Sequence, residues 1–178
     1  TVASTGTGYI SVIITGTFLN TSDAGLYSSV LTVISILTFI PKLFTQVFLP
    51  EFSKLFGQGN KKKITEIIKK SSKLMFLIAS IVCTILYVYA GNILTVFGEE
   101  FLKADTILKI IIPSVFVRMI SIPFISFLSG TKYIIYPNIG GIIILLVSLV
   151  LWIILIPELR LKGIAIGYTI GIIVGIGY

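Results

Sequence analysis

Two stretches of this chain, residues 74–96 and 134–156, run for 23 residues each without a charged side chain. A helix needs about 20 predominantly apolar residues to cross the hydrocarbon core of a bilayer. Four further apolar runs, at about 2–19, 26–49, 107–128 and 164–178, are separated from these by brief polar punctuation. Charged residues make up 12% of the chain and mean hydropathy is +1.08, where a soluble domain carries about 25% charged residues. The expected fold is an all-α polytopic membrane protein. Its six transmembrane helices form one bundle over residues 1–178, with the sixth run cut short at the end of the chain.

The charge distribution orients the bundle. The net charge is +7, which in a soluble protein would suggest nucleic acid. Here Lys54, Lys61, Lys62, Lys63, Lys69, Lys70 and Lys73 supply half of the fourteen cations. Such a cluster marks the loop at 51–73 as cytoplasmic and facing anionic lipid, so no nucleic-acid partner is expected. The acidic loop with Glu99, Glu100 and Asp105 then falls on the outer side. Arg160 and Lys162, in the following outer loop, run against this rule. With no histidine and a lone Cys83, a disulfide framework and a His/Cys metal site are excluded, and no cofactor is expected. No signal peptide is visible. The chain starts without methionine inside one apolar run and stops inside another, so a fragment of a longer protein is expected.

The first run carries Thr1, Ser4, Thr5, Gly8, Ser11 and Thr15 on one helical side, which suits either close helix packing or a lumen. Asn20 to Gly25 is a turn cluster, with Ser22 or Asp23 expected to cap the next helix. That helix aligns Ser28, Thr32, Ser35, Thr38, Lys42, Thr45 and Gln46. Polar groups facing lipid all along a helix are costly, so this side faces a water-accessible cavity or a neighbouring helix. Pro41 is expected to kink the helix and Pro50 to end it. Residues 61–73 read as a short interfacial helix with Ile64, Ile67 and Ile68 as its apolar side. Trp152 is expected at the outer interface, where amphipathic rings gather. Gly163, Gly167, Gly171 and Gly175, spaced by four, form a ridge for close packing.

Arg118 is the outlying residue. It lies near the centre of the run at 107–128, where an arginine costs about 2.5–3.5 kcal/mol on insertion scales. Ser114, Ser121 and Ser129 share its side of the helix, so that side faces protein or water. No carboxylate is expected at mid-membrane depth in this chain. A structural ion pair would need a partner from outside it, and the alternative is a cationic site for an anionic ligand.

Four stretches resemble the second half of polysaccharide (oligosaccharidyl-lipid) flippases, within the multidrug/oligosaccharidyl-lipid/polysaccharide exporter superfamily. They are DAGLY at 23–27, LPEFSK at 49–54, FGEEF at 97–101 with Ala104, Ile107 and Leu108 after it, and GIAIG at 163–167. The resemblance implies helices seven to twelve of a transporter in which two six-helix bundles surround a central cavity. It implies alternating access that carries a lipid-linked oligosaccharide across the cytoplasmic membrane, with cationic cavity residues meeting the pyrophosphate. The implied partners are the lipid-linked glycan, the bilayer and glycan assembly enzymes.

On this reading the substrate-binding candidates are Arg118 and Lys42 for phosphate, with Ser114, Ser121, Gln46, Thr38 and Ser35 for hydroxyls. Arginine suits phosphate because its planar fork binds two oxygens at once. A cation-coupled drug exporter of the same superfamily is the first rival, and it would be expected to carry intramembrane carboxylates. A membrane glycosyltransferase or polymerase is the second. Acid–base chemistry needs placed carboxylates or histidine, and Glu99, Glu100 and Asp105 are the only acidic cluster, so a transporter rather than an enzyme is expected. A scaffold subunit should lack both the polar stripe and the central arginine.

Overall fold

The computed structural model describes residues 2–37 and 39–178, and the side chains of all of these but residues 2–5 and 40–42. The described residues are helical almost throughout and contain no strand. Among the described residues eight helices follow one another: α1 (Val2–Phe18), α2 (Thr21–Leu37), α3 (Phe39–Gly57), α4 (Lys61–Val88), the short α5 (Ala90–Leu94), α6 (Asp105–Ser129), α7 (Ile135–Leu159) and α8 (Leu161–Gly177). Two 3-10 turns, Thr95–Phe97 and Glu99–Ala104, join α5 to α6. Gly98 between them has φ +133°, a conformation that only glycine adopts readily.

Among the described residues three stretches are long and apolar enough to cross a membrane: Lys61–Val88, Glu99–Ser129 and Ile135–Leu159. Thr21–Leu37 and Leu161–Gly177 are shorter apolar helices. The expected second run lies in α2 and α3, on either side of residue 38, which is outside the described residues.

α6 is the axis of the fold. It packs against α3, α4 and α8 and touches α2 and α7. Its Leu108, Ile111 and Met119 are essentially inaccessible. Each neighbour adds a specific contact. Phe76 of α4 meets Phe116 edge-on at 5.7 Å. Ser126 Oγ lies 3.1 Å from Thr45 Oγ1 of α3. Thr169 of α8 donates to the carbonyl of Ile110 at 3.0 Å.

α7 and α8 form an antiparallel hairpin with very close backbones. A Cβ at Gly163 would lie 2.5 Å from the carbonyl oxygen of Leu155, and one at Gly167 would lie 2.6 Å from the Trp152 ring. Gly171 faces Ser148, and Gly175 faces Gly140 and Ile144. The ridge spaced by four is therefore the packing surface of α8.

The lysine-rich end differs from its expected form in two ways. α3 does not stop at Pro50 but continues to Gly57. The 61–73 segment is no separate interfacial helix. It is the start of the 28-residue α4, capped by Asn60, whose side chain accepts from the Lys63 amide at 3.1 Å. Packing explains both. Phe52, Leu55 and Ile64 are buried together, with Phe127, Ile67 and Ile68 against them, so the apolar side of this segment meets α3 and not lipid headgroups. At 1.5 Å per residue α4 is about 42 Å long, longer than a hydrocarbon core of about 30 Å, and its lysine-bearing turns extend beyond it.

Two further expectations are corrected. Trp152 is only 1% exposed, and its Nε1 donates to the carbonyl of Ile164 at 3.0 Å, so it locks the hairpin and is no interfacial anchor. The cap of α2 is Asn20, not Ser22 or Asp23, because Asn20 Oδ1 accepts from the Asp23 amide at 2.7 Å. Along α1, Ser11 and Thr15 are fully buried and donate to the carbonyls of Gly8 and Ser11. This favours packing over a lumen for that side. Thr1 lies outside the described residues, as do the side chains of Ser4 and Thr5.

Candidate functional site

Arg118 lies thirteen residues from the start of α6 and eleven from its end, about 16–20 Å from either at 1.5 Å per residue. Its side chain is half-buried. Among the described residues no carboxylate lies within ion-pair distance of it; the ion pairs found are Glu66–Lys70, Asp105–Lys109 and Asp23–Arg160. A guanidinium presents five N–H donors and stays charged, so Arg118 is a fixed positive charge with unused donors at the centre of the central helix.

Ser114 and Ser121 flank it by about one turn on either side. Ser114 is 1% exposed and donates to the carbonyl of Ile111 at 2.7 Å, so it belongs to the packed side of α6. Ser121 is half-buried and donates to the carbonyl of Val117 at 2.8 Å. Both hydroxyls have spent their donor on their own helix and keep acceptor capacity only. Of the three, only Arg118 therefore keeps free hydrogen-bond donors.

The polar stripe of α2 and α3 divides. Tyr27, Val30, Val33 and Ile34 turn α2 towards the core, which leaves Thr32 and Ser35 exposed on its other side. Ser28, Thr32 and Ser35 donate to the carbonyls of Gly25, Ser28 and Thr32. On α3, Thr45 turns inward to Ser126, while Gln46 beside it is exposed. Thr38 and the Lys42 side chain lie outside the described residues. Of the candidates, the structure thus groups Arg118, Ser114 and Ser121 on one helix and leaves Ser35 and Gln46 on outward-facing surface.

Three features were missed by reading the sequence. Asp105 is not a loop residue but opens α6 and pairs with Lys109 at 2.8 Å, with both side chains about one-third exposed or less. The Lys109 ammonium also lies 5.5 Å from the Tyr87 ring centroid. The i, i+4 spacing of opposite charges was the available signal. Second, cavities open on the bundle. One, about 300 Å³, is lined by Ser80, Cys83, Thr84, Tyr87 and Phe116 among others. Another, about 590 Å³, lies between α1 and α7. Arg118 lines neither. Third, the ends of the helices pair off. Arg160 meets Asp23 at one end of the bundle. At the other, Ser53 donates to the carbonyl of Gly130 at 2.5 Å and Phe56 meets Tyr133 edge-on. This sorts the turns into two opposite sets, with the lysine cluster in one. In that cluster Lys70 pairs with Glu66 at 2.8 Å.

A family model described as polysaccharide biosynthesis protein matches residues 1–106, more than half of the chain. The chain belongs to this family. Its membership assigns it to polysaccharide biosynthesis, and its three membrane-length helices make it a membrane protein. Comparison with curated proteins and with solved structures gave no match. The matched region spans α1 to α5 and the first two residues of α6. It includes the polar stripe and the lysine-rich end, whereas Arg118 lies outside it and is singled out on its geometry alone.

Proposed function

We propose that this chain forms a six-span bundle, one half of a cytoplasmic-membrane flippase that carries lipid-linked oligosaccharide from the inner to the outer leaflet. Three spans are the membrane-length helices; α1, the α2–α3 pair and α8 are the others. Arg118 carries the reading. A charge at the centre of a membrane helix is costly, and one left without a carboxylate is best explained by an anion that comes and goes. The phosphate of a lipid-linked glycan is such an anion, and the fork geometry of arginine suits it. Lys42 is assigned a supporting role in phosphate binding. The outward surface with Thr32, Ser35 and Gln46 is assigned to sugar hydroxyls across a cavity shared with a second bundle, and the prenyl tail stays towards lipid. On this reading the protein is a transporter and not an enzyme, and its partners are the lipid-linked substrate and the enzymes that assemble it.

The test is reconstitution of the full-length protein in vesicles, comparing flipping of a labelled prenyl-pyrophosphate oligosaccharide with efflux of a cationic dye. Arg118→Ala should cut flipping roughly ten- to a hundredfold, the worth of hydrogen bonds to a charged group. Arg118→Lys should keep part of it, since the charge remains but the fork is lost. Unchanged flipping in properly inserted Arg118→Ala protein would falsify the assignment. Dye efflux without lipid flipping would instead favour a cation-coupled drug exporter.

A further inference from the structure

The larger cavity, about 590 Å³, is within the usual range of roughly 300–1,000 Å³ for small-molecule sites. It is a cleft between α1 and α7 at the end of the bundle opposite the lysine cluster. Ile14, Phe18, Leu149, Trp152 and Ile156 wall it, and the exposed Arg160 completes the lining. No hydroxyl or amide side chain lines it, and the one indole N–H is already spent on Ile164. The cleft therefore offers nothing to a sugar. It offers an apolar slot with a cation at one end.

Three observations set Arg160 apart. It is the only non-glycine residue with positive φ among those described, at φ 50° and ψ −125°. Such backbone outliers are held by their surroundings and gather at ligand clamps. Its guanidinium has a single carboxylate, Asp23, at 3.9 Å, and its side chain is 68% exposed, so a five-donor group is left largely unused. Finally, it is a cation on the side where the positive-inside rule disfavours one. Arginine at this corner has a cost in backbone conformation and contributes little to the fold.

We propose that this cleft binds an acidic phospholipid of the outer leaflet. One acyl chain lies between α1 and α7, and the phosphate is held by Arg160 in competition with Asp23. An apolar helix filling the cleft would gain nothing from the cation, and a zwitterionic lipid would gain less than an acidic one. The site is separate from Arg118 and does not depend on the translocation reading.

Trp152 is the only tryptophan of this chain and lines the cleft, which makes it a built-in probe. The full-length protein, with any tryptophan outside this region replaced by phenylalanine, is placed in bilayers containing phosphatidylglycerol or phosphatidylcholine with the same brominated acyl chains. Trp152 fluorescence should be quenched at about fivefold lower mole fraction of the acidic lipid, the worth of one cation beside an anionic surface. Arg160→Gly, which that backbone conformation accepts more readily, should abolish the headgroup preference while the protein stays folded. Asp23→Asn should sharpen it by removing the competitor. Equal quenching by both lipids, a preference that survives in Arg160→Gly, or no quenching by either would overturn the proposal. So would displacement of the brominated lipid by trace prenyl phosphate, which would name a different occupant.

Discussion

Alanine at Gly175 would place its methyl carbon 2.6 Å from the carbonyl oxygen of Gly140 and 3.0 Å from the amide nitrogen of Ile144. Both are backbone atoms and cannot turn aside as a flexible side chain could. Ordinary contact begins at 3.4 Å, so α7 and α8 must part by about 0.8 Å at this point. A gap of 0.5–1 Å forfeits roughly a quarter to a half of the contact energy along the opened seam, and overpacking of this kind costs about 1–3 kcal/mol. The higher helix propensity of alanine returns up to about 1 kcal/mol. The net loss is up to about 2 kcal/mol, a fall of up to roughly 8 °C in Tm for a chain of this size. Gly177, two residues along the same helix, has nothing within 4 Å of its Cβ position, so Gly177→Ala should be neutral or slightly stabilising. Thermal unfolding of the detergent-solubilised protein, followed by fluorescence-detected size exclusion, compares the two. If Gly175→Ala melts no lower than Gly177→Ala, the hairpin is not packed backbone to backbone.

The hydrogen bond between Ser126 and Thr45 should show a coupling of about 0.6 kcal/mol, typical for membrane helices, in a Thr45→Val, Ser126→Ala double-mutant cycle; additive effects would mean that α3 and α6 do not meet there. In a Cys83→Ala background, cysteines at Gln58 and Lys132 should react with a membrane-impermeant thiol reagent from one side of the membrane and cysteines at Asn20 and Lys103 from the other. All four positions are exposed, and labelling of Gln58 and Asn20 from the same side would break the alternation of spans.

Much of the α7–α8 hairpin is legible in the sequence. Glycines spaced by four can serve one purpose in an apolar helix, and they serve it. The uncharged run at 134–156 likewise became most of α7, whereas the run at 74–96 is divided: residues 74–88 complete α4 and the remainder passes into α5 and a 3-10 turn. Arg118 was legible as an outlier, since a charge inside an apolar run is conspicuous in one dimension. Less visible was the state of its neighbours. Ser114 and Ser121 share its side on a helical wheel, yet one is buried and both have donated to their own helix. Periodicity fixes an angle around an axis and says nothing of how close the neighbouring helix stands.

Composition and charge order alone thus determined an all-helical membrane protein with one basic end, because apolar length and lysine placement act locally and need no partner. Tertiary packing decided where helices begin and stop. Pro50 fails to end α3 because Phe52 and Leu55 find Ile64 and Phe127 beyond it, and the Trp152 ring is buried against α8 because Gly167 makes room for it. The meeting of Asp23 with Arg160 across 137 residues of chain was equally out of reach of the sequence. Contacts between distant segments depend on which helices become neighbours, and that is settled only when the whole bundle closes.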